Sequence, residues 1–137
     1  MKIASALQVT ISELLDQPVR QGIMRVIRHD DPEYTYRNDK ACNIRTLSPL
    51  SLEKSVEFYN ISIEPNGIIK SEPHFPGTEE ILYVTHGKIS VSSGKESIEL
   101  NRGDSAHYRA DIEHCITNSS RSRSEFFLVV KYHDTSA

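Results

Sequence analysis

The chain has 137 residues, 37% of them apolar, and a formal net charge of −3. That length suits one domain with a small appendage and is enough to bury a core. The charge gives no bulk attraction to nucleic acid, no apolar run is long enough to span a membrane, and no signal-peptide pattern is present, so a cytoplasmic domain is expected.

From the amino terminus, Ile3, Ala6 and Leu7 recur at helical spacing and form an apolar stripe. Thr10, followed three residues later by Glu13, is a capping box before Ile11, Leu14 and Leu15. Pro18 forbids continuation of this second helix. Two helices this short do not stand alone, so they are expected to pack outside a larger body. After Pro18 the pattern turns to β. Residues 23–27 alternate around Met24 and Val26 and predict a first strand. Asp30-Asp31-Pro32-Glu33 predicts a turn, followed by short strands at 34–36 and 43–47 and a loop from Ser48-Pro49. A longer strand is predicted over 56–63, stopped by Pro65-Asn66-Gly67. Further strands are predicted at 80–85, 88–92, 97–100, 105–108, 115–117 and 125–132, with turns at Ser93-Gly94 and at 101–104. Many short strands with regular turns predict an all-β sandwich or barrel. The Ser/Arg run at 119–124 reads as an exposed hairpin loop. Cys42 and Cys115 have no C-x-x-C partner and read as reduced thiols.

The residues that carry chemistry lie in two stretches of this β region. The first is Glu72-Pro73-His74-Phe75-Pro76-Gly77-Thr78-Glu79-Glu80, running into a strand that ends at Gly87. The second runs from Gly103 through His107, Tyr108, Arg109 and Asp111 to His114, with Asn118 beyond it. Imidazole and carboxylate converging from two hairpins can hold a first-row metal ion. The same groups without a metal make a polar-lined ligand pocket. Glu80 heads the apolar run Ile81-Leu82-Tyr83-Val84, so it faces solvent or needs a partner. Glu79 is its rival, because neighbouring strand residues face opposite sides. One of His107 and Tyr108 is expected to line the pocket, with core or barrel-rim packing an equal reading for Tyr108, and Arg109 either pairs with Asp111 in a turn or meets an anionic ligand. His29, His86 and His133 read as solvent-facing.

These two stretches resemble the cupin motifs, G-x5-H-x-H-x3,4-E-x6-G and G-x5-P-x-G-x2-H-x3-N. The second motif is matched in every spacing by Gly103, Arg109, Asp111, His114 and Asn118, with Arg109 in place of Pro and Asp111 in place of Gly. The end of the first is matched by Glu80 and Gly87. Its start aligns Glu72-x-His74 with H-x-H, with Glu in the first place. The resemblance implies a double-stranded β-barrel, or jelly roll. It also implies His74, Glu80 and His114 as three of four metal ligands, with Glu72 a candidate for the fourth.

Residues 1–16, with Lys2-Ile3-Ala4, Ala6-Leu7, Val9 and Leu14-Leu15, resemble the end of the helix-turn-helix domain of XRE-family transcription regulators. In that family the two short helices close a domain whose other helices, including the DNA-recognition helix, would precede Met1. Many such regulators carry a cupin sensor after this point. The expected organisation is therefore a helix-turn-helix remnant over 1–17, a linker and first barrel strands over 18–54, and a cupin core over 55–137.

Three function classes follow. The leading one is the small-molecule-sensing cupin domain of a transcription regulator, with His74, Glu80, Tyr108, Arg109 and His114 around the effector. Such a domain would form a homodimer and would reach DNA only through a helix-turn-helix domain absent from this chain. The alternative is a small metal-dependent enzyme of oxygenase or isomerase type, holding Mn, Fe, Ni or Zn on His74, Glu80 and His114. Direct DNA binding by this chain is disfavoured by the acidic balance and the missing recognition helix.

Overall fold

The computed structural model of the chain describes residues 24–50 and 55–133. The two amino-terminal helices expected over 1–16 lie outside the described residues. The strand expected at 23–27 is not formed across its described part: 24–28 are irregular, and Met24 and Val26 are exposed. Alternation there meets no strand edge to pair with. A short 3-10 turn, Pro32–Tyr34, follows where the turn was expected, capped by the Asp31 carboxylate, which accepts from the Glu33 amide at 3.0 Å.

Ten strands follow among the described residues: β1 (Thr35–Asn38), β2 (Cys42–Thr46), β3 (Val56–Ile63), β4 (Ile68–Ser71), β5 (Glu79–His86), β6 (Lys88–Ser93), β7 (Glu96–Asn101), β8 (Ser105–Arg109), β9 (His114–Thr117) and β10 (Ser124–Lys131). Only β4 has no counterpart in the sequence reading. Four residues squeezed between Gly67 and a Pro-bounded loop offer too little alternation to register.

The strands form two antiparallel sheets. One has six strands in the order β1-β2-β3-β10-β5-β8, the other four in the order β4-β9-β6-β7. The chain changes sheets at six of the nine connections between these strands, as β3 to β4, β5 to β6 and β8 to β9 illustrate. This is the crossing pattern of a jelly roll. The sheets do not close into a barrel. Among the described residues no strand of one sheet carries a hydrogen-bonded ladder to the other, so the contact between them is made by side chains, as in a sandwich.

The pleat explains which side chains meet. In β5, Glu80, Leu82 and Val84 point inward while Ile81 and Tyr83 point out. In β10, Phe126, Leu128 and Val130 point inward, and β2 and β3 add Ile44, Ile61 and Ile63. The opposing sheet supplies Ile89, Val91, Leu100 and Ile116 to the same core. Each such burial contributes about 1.5–3 kcal/mol. The apolar filling stops short of one end, where the inward rows of β5, β8 and β9 carry Glu80, Tyr108 and His114 instead.

Candidate functional site

Two loops bring the polar groups together, and they are hydrogen-bonded to each other. The loop after β4 carries His74, and the loop after β8 carries Ala110 and Asp111. The His74 amide donates to the Ala110 carbonyl at 2.9 Å, and the Ala110 amide donates to the Thr78 carbonyl at 2.9 Å. The Asp111 carboxylate accepts from the Gly77 amide at 2.8 Å and from Arg109 Nε at 2.9 Å. Arg109 and Asp111 thus form the turn ion pair, and the Arg109 side chain, 67% exposed, is not brought to the pocket. Glu72 is also exposed and lies outside the group.

Glu80 sits at the centre. It is buried, and its registration opposite Tyr108 on β8 lets the phenol donate to Oε1 at 2.6 Å. Both imidazoles face its other oxygen. His74 Nε2 lies 3.3 Å from Oε2 and His114 Nε2 lies 3.2 Å from it. The two rings meet edge to face at 5.0 Å. Among the described residues, His74, Glu80 and His114 are the group whose ligand atoms all lie within 4.8 Å of one another.

The tautomer of His114 follows from its backbone partner. Nδ1 lies 2.8 Å from the Ile112 carbonyl. A carbonyl only accepts, so Nδ1 carries a proton. In a neutral ring Nε2 would then present a lone pair to the Glu80 carboxylate at 3.2 Å. Two electron-rich atoms at that distance need a positive charge between them, from a proton or a metal ion. Nε2 is fully buried and, although close to Glu80, makes no hydrogen bond of good geometry. Burial pulls the His114 imidazole toward neutrality, but Glu80 and the Ile112 carbonyl outweigh it and raise its pKa above the ordinary value. For Glu80 burial acts upward, and His114, Tyr108 and His74 together bring it below the usual carboxylate range. Burial, then Glu80, push the Tyr108 hydroxyl well up, so it remains a donor.

This donor set fits a divalent metal. Two Nε2 atoms and one carboxylate oxygen converge, and the second nitrogen of His114 is fixed by a backbone acceptor, as metal-bound imidazoles usually require. His74, Glu80 and His114 would hold the ion, which would supply Lewis acidity at its open positions.

Of this group, His74 and Glu80 line a cavity of about 220 Å³, whereas His114 and Tyr108, expected at the pocket, stand behind Glu80 and are not part of its lining. Ile44, Ile61, Ile69, Ile116, Leu128 and Val130 make its apolar walls. The lining also includes a cluster that the sequence reading missed, Tyr36, Glu57, Tyr59 and Tyr132, with Glu57 in the same cross-strand row as Glu80, both opposite Val130. Tyr59 and Tyr132 both donate to Glu57 Oε1, at 2.8 and 3.0 Å. The available signal was the parity of β3, which turns Glu57 and Tyr59 to the same side as Ile61 and Ile63.

The expected histidine surface roles are seen at His29, His86 and His133, all exposed. His107 points outward from β8 and pairs with Glu79 at 2.7 Å, while His133 approaches Glu79 from the other side at 3.4 Å. Of the alternatives at each position, Tyr108 and Glu80 are the inward members. Both cysteines are free. No helix among the described residues is long and apolar enough to cross a membrane.

A family model described as a Cupin domain matches residues 59–130. No curated protein sequence matches the chain. Among solved structures, the cupin domain of an XRE-family transcriptional regulator from Enterobacter cloacae superposes with a TM-score of 0.65 at 22% identity, covering 69% of this chain and all of that one. A transcriptional regulator of the HTH_3 family from Vibrio cholerae gives a TM-score of 0.64 at 20% identity, covering 90% of this chain but 64% of that one. A sugar phosphate isomerase of the cupin superfamily from Silicibacter pomeroyi gives 0.55 at 18% identity, covering 68% and 60%.

Proposed function

This chain belongs to the cupin family, and we propose that it is the small-molecule-sensing domain of a transcriptional regulator. The observation that carries this reading is the cavity: apolar walls, with His74 and Glu80 and a Tyr36, Glu57, Tyr59 and Tyr132 cluster as its polar lining. Such a lining suits reversible capture of a small amphipathic molecule. Similarity to the Enterobacter and Vibrio regulators supports the reading, as does the XRE-like pattern of residues 1–16. DNA would be contacted only by a helix-turn-helix domain joined to this one, and effector binding would change how that domain is presented. A second copy would pair through the outer face of the six-stranded sheet, where Phe58, Ile81 and Tyr83 are exposed.

A metal-dependent enzyme is the second reading, favoured by the buried, hydrogen-bond-free Nε2 of His114 facing Glu80 and His74. Elemental analysis separates the two when coupled to a thermal-shift screen of small metabolites. The sensor reading expects a compound that raises Tm by binding one per chain and is recovered unchanged. One equivalent of metal, lost in both His74→Ala and His114→Ala, together with conversion of a bound compound, would establish the enzyme instead.

A further inference from the structure

We propose that Tyr108 is the positioning residue of the metal site: its hydroxyl holds Glu80 so that a divalent ion is taken on one carboxylate oxygen, Oε2, beside the two imidazoles. Such a hold applies whether the pocket serves a sensor or an enzyme, and it rests on His74, Glu80 and His114 being the donor set.

The two oxygens of Glu80 have different partners. Oε1 accepts from the Tyr108 hydroxyl at 2.6 Å, a short bond of the kind a charged acceptor makes. Oε2 lies 3.3 Å from His74 Nε2 and 3.2 Å from His114 Nε2. One oxygen is engaged by the protein, and the other is turned to the two nitrogens. An ion held by both oxygens would have to displace the phenol. With Oε1 engaged, the protein offers two nitrogens and one oxygen. That set suits Co²⁺ or Zn²⁺ better than an oxygen-seeking ion such as Mn²⁺.

The phenol is itself held in place. Tyr108 stands directly opposite Glu80 in the β5–β8 register, and its side chain packs against the apolar core. Its ring lies 6.3 Å from that of His114, tilted at 49°. Tyr108 thus does for Glu80 what the Ile112 carbonyl does for His114: each fixes a ligand side chain through the atom that would not meet the ion.

Location separates this role from guest binding. Tyr108 is not among the residues lining the 220 Å³ cavity. It lines instead a groove of about 390 Å³ with Val91, Leu100 and Ala106. The hydroxyl therefore acts on the site through Glu80 and not by touching a guest in the cavity. Removing it leaves the cavity walls in place.

The test titrates the metal-free full chain with Co²⁺, followed by visible absorption, and with Mn²⁺, followed by electron paramagnetic resonance. Tyr108→Phe keeps the ring and removes the hydroxyl. It is expected to weaken Co²⁺ binding about tenfold or more. Mn²⁺ should lose less, because the freed Oε1 adds an oxygen donor that Mn²⁺ uses better. The visible Co²⁺ bands should weaken as that donor raises the coordination number. Unchanged bands, or an equal loss of both ions, in a variant with strand-rich circular dichroism overturn the proposal and leave Tyr108 a packing residue. X-ray absorption of the Zn²⁺-loaded wild type needs no variant and decides the matter if Tyr108→Phe does not fold. One-oxygen ligation sets the carboxyl carbon well behind the first shell; a carboxyl carbon close behind it would show both oxygens bound and overturn the proposal. A wild-type chain that binds none of the three ions also overturns it, while the sensor reading stands or falls separately on the metabolite screen.

Discussion

Asn118 closes the second motif of the sequence, yet its role is structural. It is completely buried, and its amide nitrogen donates to the carbonyls of Ile63 and Ser122 at 2.9 and 2.8 Å. Its oxygen accepts from the Ser120 amide and hydroxyl at 3.0 and 2.6 Å. One side chain thus ties the end of β3 to the loop before β10. Asn118→Ala would leave these backbone groups without partners in the interior and should lower stability by about 2–4 kcal/mol in urea unfolding. Asp111 is a second residue whose role the motif hides. Arg109 first, and then the Gly77 amide, hold its carboxyl below the usual range. The folded pKa is lower than the unfolded one, near 3.9, so its contribution is present above that value and disappears as pH falls through the folded pKa. Melting curves between pH 2 and 6 should show wild type ahead of Asp111→Asn at the upper end, with the gap narrowing in acid. A constant gap would mean that the ion pair is not what stabilises the turn.

Between strands, the β5–β6 connection depends on one glycine. Gly87 has φ +73°, and a Cβ there would fall 2.5 Å from Ser124 Oγ. That hydroxyl accepts from the Lys88 amide at 3.1 Å and donates to its carbonyl at 2.7 Å, fastening the start of β6 to β10. Gly87→Ala combines a left-handed backbone with a clash against this fastener. It should cost about 2–3 kcal/mol, read as an earlier urea midpoint with unchanged slope. The same element shows how the site is made. β5 places Glu80, Leu82 and Val84 on one row, so the carboxylate is carried inward by the two apolar residues behind it. Its burial is tolerated because β8 presents Tyr108 in direct register.

At the level of the whole molecule, the outer face of the six-stranded sheet is unusually apolar. Phe58 lies opposite Val129, and Val129 opposite Ile81, while Phe127 lies opposite Tyr83. The rings of Phe58 and Phe127 stand 5.6 Å apart. A contiguous patch of this kind marks an interaction surface, and two-fold pairing is the commonest way to cover one. Light scattering at tens of micromolar is therefore expected to give a dimer mass. Phe58→Glu combined with Ile81→Glu should give a monomer with an unchanged circular-dichroism spectrum. A wild-type monomer mass would remove the dimer from the proposed function.

Alternation, turn residues and motif spacing were enough, in the sequence alone, to show an all-β chain, most strand positions and the trio His74, Glu80 and His114 as candidates. These are local properties: the period of two is written along each strand, and turns are set by neighbours such as Pro65-Asn66-Gly67. Tertiary structure decided what depends on pairing partners. It left the two sheets as an open sandwich, left 24–28 without a strand to pair with, and turned Arg109 outward onto Asp111. It also built the Tyr36, Glu57, Tyr59 and Tyr132 cluster from three separate parts of the chain. No spacing rule joins residues nearly one hundred positions apart. Only the order β1-β2-β3-β10 within the six-stranded sheet brings them together.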